Sequence, residues 1–297
     1  MRQRNAPFGR TLCAMVTPFT PAGRLDVDGA ARLATRLVAG GCDGLVLNGT
    51  TGESPTTTDA EKSELIAVVR AAVGPAVPLI AGVGTADTRH TVELTLAAEK
   101  AGADAVLVVT PYYSRPQQAA VEAHFRQVAD ASGLPLMLYD IPGRTGTRLT
   151  PATIIRLAEH PRVIAVKDCS YDFLATQKVL AATELAYYAG CDEHILPLYA
   201  TGAAGCVSTV ANVAPGEVAA ILAAFDAGDT ALAAELQSRV TPLIDSLMAS
   251  DLPGTVTVKA LLNTLNLPAG PVRPPLLAAD AATTTDLLSR YEALVPR

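Results

Sequence analysis

Lysine is scarce in this 297-residue chain, which carries only Lys62, Lys100, Lys167, Lys178 and Lys259. Lys167 is set apart from the rest because it closes the apolar run 163–167, whereas the other four fall in segments with helical patterning where an ammonium can reach water. A lysine at a strand end has two readings. Its stem can lie along apolar surface while its head snorkels to solvent or pairs with a carboxylate. Alternatively, apolar surroundings hold the amine below its ordinary pKa, so that the neutral form attacks a carbonyl and makes a Schiff base. Position alone leaves both open. Other strand-like runs end in complementary groups. Tyr139 closes 135–139 and Arg144 follows it; Tyr112 and Tyr113 follow 105–109; Gly49, Thr50, Thr51 and Gly52 follow 44–47. Tyrosines can relay protons where histidine is lacking, and an arginine can grip a carboxylate with two parallel hydrogen bonds. A glycine-flanked threonine pair can offer backbone N–H groups and hydroxyls to a small carboxylate. Each feature has a plain reading as packing, turn or surface ion pair, but all four fall at strand ends together.

The elements that must hold these groups are legible as an alternation. Short apolar runs at 11–16, 44–47, 78–83, 105–109, 135–139, 163–167, 185–189 and 205–209 read as strands with both faces buried, as in a parallel sheet covered by helices. Helix-like segments at 27–39, 59–73, 88–101, 117–132, 151–160, 173–183, 195–201 and 215–227 follow them in turn. Eight such pairs are the count of a closed α/β barrel, the (β/α)8 TIM barrel, in which catalytic groups sit at the C-terminal strand ends. An open doubly wound sheet is the competing architecture. Alternation along 163–167 places Val163, Ala165 and Lys167 on one barrel-lining face. From Gly228 onward only helical patterning remains, at 230–248, 256–265 and 283–293, with prolines at 253, 268 and 271–275. The expected organisation is a barrel at 1–227 and a C-terminal helical extension at 228–297 packed on it.

Composition excludes several functions. A formal charge of −6 and 49% hydrophobic residues argue against nucleic acid or an anionic membrane as partner, and no run approaches the ~18 apolar residues of a membrane span. Cys13, Cys42, Cys169, Cys191 and Cys206 are odd in number, with no C-x-x-C spacing, and read as reduced thiols of a cytoplasmic protein. Other motifs are weak. Gly82 and Gly84 begin a dinucleotide fingerprint whose third position is Asp87. Asp26, Asp28 and Gly29 suggest a helix start rather than a calcium loop. The four histidines, 90, 124, 160 and 194, read as surface or capping residues, and no metal site is expected.

The runs G-T-T-G-E-S at 49–54, T-P-Y-Y-x-R-P at 110–116, L-Y-D-I-P-G-R-T-G at 138–146, V-K-D at 166–168 and V-S-T-V-A-N-V-A at 207–214 resemble the dihydrodipicolinate synthase family. That family belongs to the pyruvate-dependent class I aldolases with N-acetylneuraminate lyase. The resemblance implies a TIM barrel with C-terminal helices, a homotetramer built as a dimer of dimers, and catalysis without metal or external cofactor. It implies that Lys167 is the Schiff-base lysine, that Tyr139 shuttles protons, and that Thr50 and Tyr113 complete a relay, Tyr113 being contributed across the tight dimer interface. Thr51, Gly190 and Val207 would line the pyruvate pocket, and Arg144 would bind the carboxylate of the aldehyde partner, aspartate 4-semialdehyde. The implied product is 4-hydroxy-tetrahydrodipicolinate, in lysine and diaminopimelate biosynthesis. A lyase for another 2-keto-3-deoxy acid and a catalytically silent binding barrel are the alternatives. Cys191 stands where synthases commonly carry an acidic residue. Asp59, Lys62, Ala86 and His90 replace residues of lysine-sensitive relatives, so weak or absent lysine inhibition is expected.

Overall fold

Helix starts along the chain are fixed by local chemistry. The computed structural model describes residues 5–248 and 252–295. After β1 (Thr11–Ala14), the carboxylate of Asp26 accepts from Gly29 N–H and starts α1 (Val27–Ala39), so this aspartate caps a helix as expected. Past β2 (Gly44–Leu47), Thr58 and Glu61 form a reciprocal capping box that opens α2 (Asp59–Val73). The alternation continues with β3 (Leu79–Gly82), α3 (Thr88–Ala101), β4 (Ala105–Val109), α4 (Gln118–Asp130) and β5 (Leu136–Asp140). A one-turn α5 (Pro142–Thr145), which the sequence pattern did not anticipate, precedes α6 (Pro151–Leu157), β6 (Val163–Asp168) and α7 (Phe173–Ala182). Then come β7 (Ala186–Ala189), α8 (Ile195–Ala200), β8 (Gly205–Ser208) and α9 (Pro215–Asp226).

The eight strands are parallel and pair in sequence order, and β1 pairs β8 with Leu12 opposite Val207, which closes the barrel and removes the open sheet from consideration. Residue alternation sorts the core into two layers. Leu12, Val46, Ile80, Leu107, Met137, Ala165 and Val207 fill the barrel interior, while Cys13, Leu45, Leu79, Val106, Leu138, Val166 and Cys206 face the helices. One expectation fails here. Val163 packs in the outer layer, because the β5–β6 register shifts between Leu136 and Met137, so the inward row on β6 begins only at Ala165. Glycines 82 and 84 allow close approach of neighbouring segments. A Cβ would lie 2.4 Å from Asn48 O at Gly82 and 2.4 Å from Val109 N at Gly84, so these residues serve packing.

The tail folds as α10 (Thr230–Met248), α11 (Gly254–Thr264) and α12 (Ala281–Leu294). Helix α10 packs on α9, and α12 on α10 and α11. Hydrogen bonds join the tail to loops at the catalytic end of the barrel, two of them through its backbone and α11. Phe19 N–H donates to Ala269 O at 3.0 Å, and the Thr255 hydroxyl to Thr50 O at 3.3 Å. Among the described residues, no helix is long and apolar enough to cross a membrane.

Candidate active site

Strand register brings the key side chains together. Tyr139 on β5 is the neighbour of Lys167 on β6, which in turn neighbours Tyr188 on β7. Lys167 is only 5% exposed, and its Nζ lies 4.4 Å from the centroid of the Tyr139 ring. Among the described residues, no ion pair involves Lys167, whereas buried Lys259 has Glu53 2.5 Å away. Burial holds the Lys167 amine below the ordinary lysine value, and nearby Arg144 acts in the same direction, against the opposing influence of Cys169, Cys191 and Asp192. Burial likewise pushes the Tyr139 phenol up, while a hydrogen bond with the Thr50 side chain pulls it back. A phenol whose proton is held more tightly beside an amine whose proton is held less tightly can pass protons through the Thr50 hydroxyl.

The remaining predicted residues are placed unequally around this pair. Gly190 follows β7, and its N–H donates to Asp168 O at 2.8 Å. A Cβ there would lie 3.0 Å from Lys167 Cγ and 2.5 Å from Cys169 Sγ, so glycine is what leaves room for the lysine stem. Val207 is fully buried in the interior layer, and Thr51 is buried in the loop after β2. Arg144 sits on α5 at the rim and, with Thr50, Tyr112, Tyr139 and Ile141, lines a cavity of about 410 Å³. Tyr113 is not brought in. Its side chain is 95% exposed on a backbone with φ of +74°, and Tyr112 takes the wall position instead.

Several residues that matter were not legible beforehand. Lys62 and Lys259 were expected to reach water from helices, but they are 8% and 1% exposed. Lys62 donates to Thr57 O at 2.5 Å, and Lys259 Nζ lies 4.1 Å from the Phe19 ring centroid. Burial lowers Lys259 to about 8, with Glu53 opposing. Glu53 also accepts from Arg273 N–H, and Arg273 in turn binds Glu61 at 2.5 Å. Asp192 is a second anchor. Buried below 4%, it accepts from the Ser208 hydroxyl and from Thr209 and Val210 N–H, and ties the turn after β7 to that after β8. Histidine also corrects an expectation. His124 is 4% exposed, bonds the Thr88 hydroxyl at 2.9 Å through Nδ1, and is driven by burial to a pKa of about 4. His90 and His160 pair with Asp59 and Asp130 on the surface. No group of three or more His, Cys, Asp or Glu among the described residues could hold a metal ion.

With this geometry in view, the sequence matches the dihydrodipicolinate synthetase family over residues 7–293. The chain belongs to that family. Among its similar proteins is 4-hydroxy-tetrahydrodipicolinate synthase 1 of Streptomyces coelicolor, 72% identical over 290 residues that cover 98% of this chain and 95% of that protein. The crystal structure of the family member from Cyanidioschyzon merolae with lysine bound superimposes with a TM-score of 0.94, at 37% identity, covering 98% of this chain and 99% of that one. The chloride-inhibited dihydrodipicolinate synthase of Acinetobacter baumannii complexed with pyruvate gives 0.92, at 33% identity, covering 97% and 99%.

Proposed function

We propose that this chain is a lyase that condenses pyruvate with aspartate 4-semialdehyde to 4-hydroxy-tetrahydrodipicolinate, through a Schiff base on Lys167. The observation that carries this reading is a buried lysine without a carboxylate partner, held against a tyrosine that is itself hydrogen-bonded to Thr50. The neutral Lys167 amine attacks the pyruvate carbonyl, and Tyr139 and Thr50 carry the protons needed to expel water. The protonated imine withdraws electrons from the pyruvate methyl group, which loses a proton to give an enamine. The enamine carbon attacks the aldehyde, and the amino group of the new chain then closes onto the imine carbon and frees Lys167. One water leaves overall. The imine is the electron sink, so the chemistry asks for no external cofactor.

Thr51, Gly190 and Val207 are assigned to the pyruvate pocket and Arg144 to the carboxylate of the semialdehyde, where a charge-assisted bidentate contact adds both affinity and orientation. The assembly is a cytoplasmic homotetramer, a dimer of dimers, in which Tyr113 crosses to the neighbouring subunit and completes its relay. Support for that comes from an aromatic side chain left almost wholly exposed at the catalytic end. Residues 1–227 form the catalytic barrel, and 228–297 act as its brace.

The experiment is trapping with cyanoborohydride in the presence of pyruvate, followed by peptide mapping. A pyruvate-sized adduct on Lys167, together with consumption of aspartate semialdehyde by the untreated enzyme, is expected. Trapping at another lysine, or turnover only of a longer keto-sugar acid, would overturn the reading.

A further inference from the structure

Two thiols stand beside Lys167 and have no part in the aldol chemistry. Cys169 lies two residues beyond it, just past the end of β6, is 6% exposed, and belongs to the same interior layer as Tyr139. Across from it, the β6–β7 register runs Asp168 to Ala189, so Gly190 faces Cys169 and Cys191 comes one position later. Neighbouring strands about 4.8 Å apart put residues offset by one position within about 6 Å, Cα to Cα, which a disulfide spans without moving the backbone far. The glycine matters here too, since any Cβ at 190 would meet the Cys169 sulfur at 2.5 Å. Cys191 packs against the same interior layer and is half-buried, so it is the more open of the two.

We infer that Cys169 and Cys191 form a redox-sensitive modification site, at which a hydroperoxide converts the two thiols to a disulfide and thereby stops imine formation on Lys167. The thiols already share a hydrogen bond, which draws Cys169 below the ordinary thiol value and pushes Cys191 up. Cys169, in the interior layer beside Lys167, is assigned as the nucleophile and Cys191, which follows Gly190 across from it, as the resolving thiol. The Cys169 thiolate attacks one peroxide oxygen, the O–O bond breaks, and the departing oxygen takes up a proton and leaves as water or an alcohol. The resulting sulfenic acid is attacked by the Cys191 sulfur. The S–S bond forms as the S–O bond breaks, and hydroxide leaves with the Cys191 proton as water. Two thiols are oxidised and one peroxide is reduced; an added dithiol reverses the bond. Cys169 also shares a hydrogen bond with Tyr139, so drawing its sulfur to Cys191 removes a partner from the relay and narrows the space at Gly190.

The arrest of catalysis rests on the Schiff-base reading above, but the disulfide does not, and the test separates them. The reduced enzyme is first trapped with pyruvate and cyanoborohydride, which decides the Schiff-base reading alone. Hydrogen peroxide is then added, and non-reduced peptides are mapped. A 169–191 linked peptide lighter by two hydrogen atoms is expected, with pyruvate trapping slowed by about tenfold or more and recovered with dithiothreitol. Mapping is needed because Cys13 and Cys42 also share a hydrogen bond, although both are buried in the outer layer. In Cys191→Ser, the linked peptide should be replaced by a dimedone-trapped sulfenic acid at Cys169. Peroxide inactivation without a 169–191 peptide, or a full yield of that peptide with undiminished trapping, would overturn the inference.

Discussion

Lys167 and Lys259 are both buried lysines at the same end of the barrel, and they differ in what faces them. Lys259 has Glu53 at 2.5 Å and the Phe19 ring at 4.1 Å, a fully enclosed ion pair that fastens helix α11 to the loop carrying Thr50 and Thr51. Lys167 has a phenol and two thiols around it and no carboxylate partner among the described residues. Burial alone therefore does not make a lysine reactive. Burial lowers both amines, but at Lys259 the Glu53 carboxylate opposes that, whereas Lys167 makes no ion pair among the described residues.

The largest test of this contrast is substitution of each lysine in turn. Lys167→Ala should abolish pyruvate trapping while leaving the denaturant midpoint unchanged or raised, since it removes a buried amine that makes no ion pair among the described residues. Lys259→Met should do the reverse, retaining trapping per folded molecule but losing about 3–5 kcal/mol of stability in urea titration, because Glu53 is left charged and buried. The double variant Glu53→Gln/Lys259→Met should regain most of that loss. If Lys259→Met abolished trapping without lowering stability, the two lysines would not be separable in this way.

A smaller effect concerns the rim of the Lys167 region. Arg144→Ala should raise the KM for the aldehyde by about 10- to 100-fold, the value of a charged hydrogen bond of about 1.5–3 kcal/mol, with little change in the KM for pyruvate. Equal rises in both would place Arg144 elsewhere.

The smallest effects are pH-dependent stabilities of opposite sign in the two regions. Glu61, next to the Lys259 cluster, is held at about 2 chiefly by the Arg273 hydrogen bond, against an ordinary 4.5. The unfolded chain binds the proton more readily, so this contribution is present above pH 4.5 and is lost as pH falls toward 2. Asp140, one residue beyond Tyr139, is raised by burial to about 7 from 3.8. Here the folded state binds the proton more readily, so stability from this group is present below pH 3.8 and is lost as pH rises toward 7. Chemical denaturation across pH should show Glu61→Gln flattening the loss of stability on the acid limb and Asp140→Asn flattening the decline between about pH 4 and 7.

The barrel was readable from the sequence because the strands are short apolar runs and helices such as α1, α2, α3, α6 and α7 carry their own side-chain caps, both of which are local signals. Lys167, Tyr139, Thr50 and Arg144 were readable for a related reason, since a strand end fixes where a residue goes without knowledge of its partners. Glu53 and Lys259 were not, because their significance exists only once segments far apart in the chain meet. A hint was available in α11, where Lys259 is flanked by the apolar Val256, Val258, Leu261 and Leu262, all of them buried. Val163 was misplaced because a register shift cannot be inferred from alternation within one strand.

The Arg273 N–H and the Glu53 carboxylate that accepts from it are 220 residues apart. During synthesis, the loop bearing Thr50 and Thr51 leaves the ribosome early, and its braces emerge only near the end. A chain cut short after β8 would contain Lys167, Tyr139 and Arg144 but would lack the contacts that hold that loop in place. The bracing of that loop is thus completed only when the last segment of the chain has been made.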